Sequence, residues 1–109
     1  MTFEQLIEEH GIWADATFPK ATSMGALIHA QREIKEVMEE LSEGDPNGQL
    51  RLCTEYADVL FCVMDSSRRE GLSVDDILQA GANKLAINKA RKWKDNGDGS
   101  YSHIKPPTT

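Results

Sequence analysis

Two acid-x-x-acid pairs stand out as chemistry in this chain: Glu33-Ile34-Lys35-Glu36 and Glu55-Tyr56-Ala57-Asp58. Residues three apart share one face of a helix. The second pair supplies the only charges in the run LCTEYADVLFCVM at 52–64. A helix that is apolar nearly all round is expected to be buried, and a buried carboxylate must be paired, hydrogen-bonded or bound to a metal. A cation is therefore expected inside the fold. Four facing carboxylates are hard oxygen ligands, which suits Mg²⁺ or Mn²⁺. Pairing with Arg32, Arg51 or Lys84 is the competing structural explanation.

The first pair extends to Glu40 and His29, all within about 60° at about 100° per residue. Alone, this stripe reads first as a solvated acidic face. Lys84, Asn88 and Arg91 follow at i, i+4 and i+7 on a later helix. An ammonium, an amide and a guanidinium in line suit a polyphosphate, although basic residues near a helix C-terminus are also favoured by the macrodipole.

These groups need elements to hold them. Residues 2–10 form a short amphipathic helix, and His10-Gly11 reads as its end. An irregular stretch, GIWADATFPKA (11–21), follows, with Pro19 disfavouring helix at Phe18. Thr22 or Ser23 caps a second helix whose apolar positions Met24, Leu27, Ile28, Ile34, Met38 and Leu41 fall on one face. SEGDPNGQ (42–49) is a loop, and a third helix runs from about Leu50 to Glu70, with Gly71 ending it. Ser73 opens a fourth helix to about Trp93, with Leu78, Ala82 and Leu85 as its packing side. Residues 95–109 form a turn and tail. No segment alternates with period two, so no sheet is expected. The expected architecture is all-α: one domain over 1–109, a bundle of four to five helices.

Composition sets the boundaries. The chain has 109 residues and a net charge of −6. It carries no basic stripe for nucleic acid and no run near the roughly 20 apolar residues of a membrane span. The opening MTFEQLIEEH lacks the pattern of a signal peptide, so a cytoplasmic location is expected. Cys53 and Cys62, about 13 Å apart along one helix at about 1.5 Å per residue, cannot bridge and read as small apolar residues. There is no G-x-x-x-x-G-K-[ST] phosphate loop, no Glu-x-x-His di-iron pattern, and no EF-hand spacing in DNGDG at 95–99. Arg32-Glu33-Ile34-Lys35-Glu36 matches only a fragment of the Nudix box, because Val37 replaces its next acid.

Glu33-x-x-Glu36 followed, after eighteen residues, by Glu55-x-x-Asp58 resembles the signature of the MazG-like all-α nucleoside triphosphate pyrophosphohydrolases. The segments WADATFPKAT (13–22), HAQREIKE (29–36), EYADVLFCVMDSSRREG (55–71) and KLAINKARKW (84–93) are similar to the small bacterial and phage dATP/dGTP pyrophosphohydrolases of that superfamily. Many relatives carry an acid directly before the first Glu, where this chain has Arg32.

The resemblance implies cleavage of a purine (deoxy)nucleoside triphosphate to monophosphate and pyrophosphate. Glu33, Glu36, Glu55 and Asp58 would hold Mg²⁺, with Mn²⁺ as substitute. Glu33 or Glu36 would be the general base. Lys84, Asn88 and Arg91 would bind phosphates. Ile12, Trp13 and Phe18 would stack on the base, with Thr22 or His29 hydrogen-bonding nearby, although Trp13 and Phe18 also read as an ordinary core cap. It further implies a homo-oligomer, dimer or tetramer. Two other readings stay open: a non-catalytic helical module binding metal or nucleotide, and a phosphoribosyl-ATP pyrophosphohydrolase.

Overall fold

The computed structural model describes residues 1–107; the last two positions of the expected 95–109 tail lie outside them. The chain gathers into two compact units, Met1–Val74 and Asp75–Thr109. The first contains α1 (Phe3–Thr17), α2 (Ser23–Glu43) and α3 (Gln49–Arg69). The second contains most of α4 (Val74–Ala90) and a two-stranded antiparallel ribbon, β1 (Trp93–Asp95) and β2 (Tyr101–His103).

Helix starts follow local capping chemistry. At α1, the Gln5 amide donates to Thr2 Oγ1 at 3.1 Å and the Thr2 amide to Gln5 Oε1 at 2.8 Å, a reciprocal capping box. At α2, Thr22 Oγ1 accepts from the Gly25 amide at 2.9 Å. Helix α3 stops at Arg69, and Gly71 turns the chain away with φ +81°.

α2 and α3 pack antiparallel. Ser66 Oγ donates to Ser23 O at 2.8 Å at one end, and Arg51 donates to Glu40 at 3.1 Å at the other. α1 lies on α3 through Arg68, which grips Asp15 with two bonds of 3.1 and 2.9 Å. The buried apolar residues are few and mostly small: Ile7, Ala14, Ala30, Val37, Cys62 and Met64.

Several expectations need correction. α1 does not end at His10-Gly11 but continues to Thr17, and Trp13 is helical. The reason is packing: a Cβ on Gly11 would lie 2.6 Å from Arg68 Cδ and Nε, so glycine is there to admit the arginine. Second, the apolar stripe of α2 is not its packing side. Met24, Leu27, Ile28, Ile34, Met38 and Leu41 are all exposed, while Ala30 and Val37 are buried and Glu33 and Glu40 are half-buried beside them. Third, the 52–64 run is only partly buried. Tyr56, Leu60 and Val63 are exposed, because one neighbour, α2, and the end of α1 cannot cover a whole cylinder. Likewise, α4 buries no residue; Leu78 and Leu85 are exposed.

Fourth, the ribbon was not expected. Three-residue strands are too short to show alternation, and turn chemistry makes the pair. Gly97 and Gly99 take φ +84° and +89°; Asp95 Oδ1 accepts from the Gly97 amide and Asp98 Oδ1 from the Ser100 amide. The register pairs Trp93 with His103 and Asp95 with Tyr101. Among the described residues, no helix is long and apolar enough to cross a membrane.

Replacing Gly11 by Ala tests the α1–α3 packing. In an open helix the change stabilises by about 1 kcal/mol. Here it pushes Arg68 out of its ion pairs, whose loss outweighs that gain. The expected result is a melting temperature lower by roughly 5 °C in thermal circular dichroism; a rise would contradict the packing.

Candidate active site

The two anchors between α2 and α3 set the register between them. This brings the Glu33/Glu36 and Glu55/Asp58 segments side by side, near enough for Glu55 to feel the charge of Glu33 and Glu36 that of Glu55. Glu33, Glu40 and Glu55 are half-buried along this seam, whereas Glu36 and Asp58 stay exposed at its edge. Glu33 is 15% exposed at its side chain and hydrogen-bonds His29 Nε2 through Oε1 at 3.0 Å. Glu40, one turn on, is engaged by Arg51, which also reaches Asp45 at 3.3 Å. Arg51 therefore serves the loop end of the helix pair. Within the first unit, no lysine or arginine among the described residues forms an ion pair with Glu33, Glu36, Glu55 or Asp58.

The acids feel one another. The charge of Glu33 pushes the Glu36 carboxyl above the usual range; hydrogen bonding to Glu33, burial, Glu55 and Glu39 add to it. Partial burial pushes Glu55 up, reinforced by Glu40, Glu33 and Asp58 and opposed by Arg51. Glu55 Oε2 is sealed from solvent and hydrogen-bonds nothing. An orphaned carboxylate oxygen among like charges is what a hard divalent cation satisfies, so these residues fit such an ion. Among the described residues, no three His, Cys, Asp or Glu side chains come together as a ready metal-binding group. Burial, then Glu33, Asp58 and Asp65, push the Cys62 thiol up, so it remains a neutral apolar wall.

Beside the acids opens a cavity of about 770 Å³, within the range of small-molecule sites. His29, Glu33 and Asp58 line it together with Trp13, Phe18, Phe61 and His10. The rings form a connected wall. His10 stacks on Phe61 at 4.4 Å, Trp13 tilts against His10 at 5.5 Å, and Phe18 meets Trp13 edge-on at 5.2 Å.

The wall is braced from behind by an ion network. Asp65, buried, accepts from Arg68 at 2.8 Å and from Arg69 at 2.8 Å. Burial alone would raise its carboxyl, but the hydrogen bonds from Arg69 and Arg68 outweigh this and hold it below the usual range. Arg69 also donates to Ala21 O at 3.2 Å, tying the 18–22 loop to α3. This brace was missed in the sequence, although Asp65, Arg68 and Arg69 at i, i+3 and i+4 carry a readable signal. Phe61 and His10 were missed because an apolar ring and a single histidine in a helix look like core.

Other expected site residues lie elsewhere. Ile12 is 67% exposed and does not line the cavity. Thr22 is committed to capping α2. Lys84, Asn88 and Arg91 belong to the second unit, where Arg91 follows the end of α4 and its Nη1 reaches Asn88 Oδ1 at 3.5 Å. Trp93 Nε1 donates to Asn88 O at 3.0 Å, fastening the ribbon to that helix end.

The chain is similar to known proteins over most of its length. A family described as dATP/dGTP pyrophosphohydrolase matches residues 6–109. The dATP/dGTP diphosphohydrolase of Salmonella phage PMBT28 is 35% identical over 92 residues, 84% of this chain and 28% of that protein. The Eaa protein of Salmonella phage P22 is 37% identical over 103 residues, 94% of this chain and 30% of that protein. The chain thus spans under a third of the length of these two. The dATP/dGTP diphosphohydrolase of Cyanophage S-2L is 30% identical over 94% of this chain and 89% of its own. A solved structure of the Cyanophage S-2L MazG-like pyrophosphohydrolase, bound to dGDP and three catalytic Mn²⁺ ions per active site, superposes with a TM-score of 0.74 at 28% identity. It covers 96% of this chain and 99% of that one. Matched over nearly its whole length, the chain belongs to the dATP/dGTP pyrophosphohydrolase family.

Proposed function

We propose that this protein hydrolyses purine deoxynucleoside triphosphates, dATP and dGTP, to the monophosphate and pyrophosphate. The single observation that carries the reading is the unneutralised carboxylate cluster between α2 and α3, opening onto an aromatic cavity wide enough for a nucleoside. Family membership and the dGDP and Mn²⁺ of the S-2L structure support it.

Glu33, Glu36, Glu55 and Asp58 would hold divalent cations, Mg²⁺ with Mn²⁺ as substitute. When bound, such ions neutralise the triphosphate and lower the pKa of a coordinated water. Glu33 or Glu36 accepts the proton as the water oxygen attacks the α-phosphorus. The α–β bridging P–O bond breaks, and pyrophosphate leaves with its electron pair. Lys84, Asn88 and Arg91 bind the phosphates and stabilise the charge that develops on the leaving group. Trp13 and Phe18 stack on the base, and His29 orients Glu33 through its 3.0 Å contact.

The active species is a homo-oligomer, dimer or tetramer. The exposed rows Leu27, Ile34, Met38 and Leu41 on α2, and Tyr56, Leu60 and Val63 on α3, support this. Contiguous apolar surface of this kind marks an association face, and a specific interface needs about 800 Å² per partner. A second copy of the chain is the occupant that would leave both helices buried.

Three outcomes follow. Incubation with each (d)NTP and Mg²⁺, resolved by ion exchange, should yield monophosphate and pyrophosphate from dATP and dGTP. Asp58→Asn should cut the rate at least about 100-fold with an unchanged circular dichroism spectrum; a fully active variant would remove Asp58 from the metal site.

The second concerns pH. Glu36 and Glu55 have raised carboxyls in the fold, so their stabilising contribution is complete below the unfolded carboxylate range and is lost as pH rises through the folded values. The metal-free protein should therefore gain most from Mn²⁺ at pH 7.5, by about 2–3 kcal/mol at 100 times Kd, and much less at pH 4.5. Glu55→Gln should raise the metal-free melting temperature at pH 7.5 and blunt the Mn²⁺ effect. Equal Mn²⁺ stabilisation at both pH values would contradict the assignment.

Finally, sedimentation velocity should find at least two chains per particle, and Ile34→Asp combined with Met38→Asp should yield monomers. An unchanged sedimentation coefficient in that variant would rule out this face.

A further inference from the structure

His10 lines the aromatic cavity without any role in the mechanism above. Its ring is clamped: it lies face to face on Phe61, 4.4 Å away and 4° from parallel, with Trp13 tilted at 55° on its other flank. Position and plane are therefore fixed by packing. Yet no hydrogen bond among the described residues engages either ring nitrogen, and neither nitrogen is sealed from solvent. A polar group held in place, unpartnered and open to a cavity is free to receive a ligand.

Its charge state suits a neutral ligand edge. Burial holds the imidazole below its ordinary range; Arg68 and Arg69 push the same way and Asp65 opposes them. The ring is then neutral near pH 7, with one N–H donor and one lone pair. Adenine and guanine both present N7 as an acceptor on their outer edge, whereas cytosine and thymine have no such atom. The neighbouring position is a donor in adenine and an acceptor in guanine. A single N–H aimed at N7 therefore accepts both purines and neither pyrimidine.

We propose that His10 selects purines, donating one ring N–H to N7 of the base while Phe61 fixes the plane of the imidazole. The proposal rests on the nucleotide reading above and adds to it the residue that chooses the base class. It assigns selection to a helix residue, with Trp13 and Phe18 supplying stacking that any base would enjoy.

The test compares dATP and dGTP with their 7-deaza forms, in which a C–H replaces N7, on the wild-type protein and on His10→Phe. The phenylalanine keeps a ring on Phe61 and removes both nitrogens. Wild type should show a KM about tenfold higher for the 7-deaza nucleotides, the loss of one hydrogen bond. His10→Phe should raise KM for dATP and dGTP by the same factor, leave kcat much less affected, and no longer distinguish the 7-deaza forms.

Equal KM for natural and 7-deaza nucleotides in the wild type would overturn the proposal, and needs no variant. An equal penalty on both forms in His10→Phe would reduce His10 to packing and overturn it as well. Calorimetric binding of dAMP against 7-deaza-dAMP gives the same comparison without turnover. Absence of pyrophosphate release from every nucleotide would therefore sink the hydrolase reading and still leave His10 decided by binding.

Discussion

The structure depends on a repulsion. Glu33, Glu36, Glu55 and Asp58 face one another across two antiparallel helices, with no lysine or arginine of their own unit paired to them among the described residues. A helix pair usually closes on apolar side chains. Here α2 buries only Ala30 and Val37, with Glu33 and Glu40 half-buried beside them, and most of its larger apolar residues are exposed. Such a pair is intrinsically poor at holding itself together. On the proposed reading it gains from cations within and from partner copies outside, and the two needs share one cause: a face that would otherwise be core is given to carboxylates.

The aromatic cavity lies on firmer ground. Asp65 anchors two arginines, which reach Asp15 on α1 and Ala21 O in the following loop. Removing Asp65, the buried member, would leave two arginines without their shared carboxylate. The network thus fixes the relation of α1, the 18–22 loop and α3, the three elements that carry the ring wall. In the proposed function this braced ring wall and the unpaired carboxylates beside it do different work. A base needs a preformed slot, whereas metal ligands can be drawn into place by the ion they bind.

Much of this was legible in the residues. The acid spacing, the Thr22 cap, the Gly71 stop and the all-helical class could be read directly, because each depends on local geometry. What failed depended on partners distant in sequence. Gly11 reads as a helix end until Arg68, 57 positions later, is seen to need the space. The α2 stripe has helical period, but period does not say which of two contrasting faces turns inward; the small residues Ala26 and Ala30 beside the glutamates were the available hint. Strands β1 and β2 are too short for any periodic signal, although the Asp-Gly turns between them were readable as a turn. His10 and Phe61 acquire meaning only once α1 is laid on α3.

The claim that these carboxylates form a cation site is tested most directly by titrating the protein with Mn²⁺ at pH 7.5 and following the free-ion signal by electron paramagnetic resonance. The account predicts that at least one Mn²⁺ per chain is taken up without nucleotide, and that Asp58→Asn loses it. A free-ion signal that rises with added metal as it does in buffer alone would contradict it, and would leave the four acids as a solvated face.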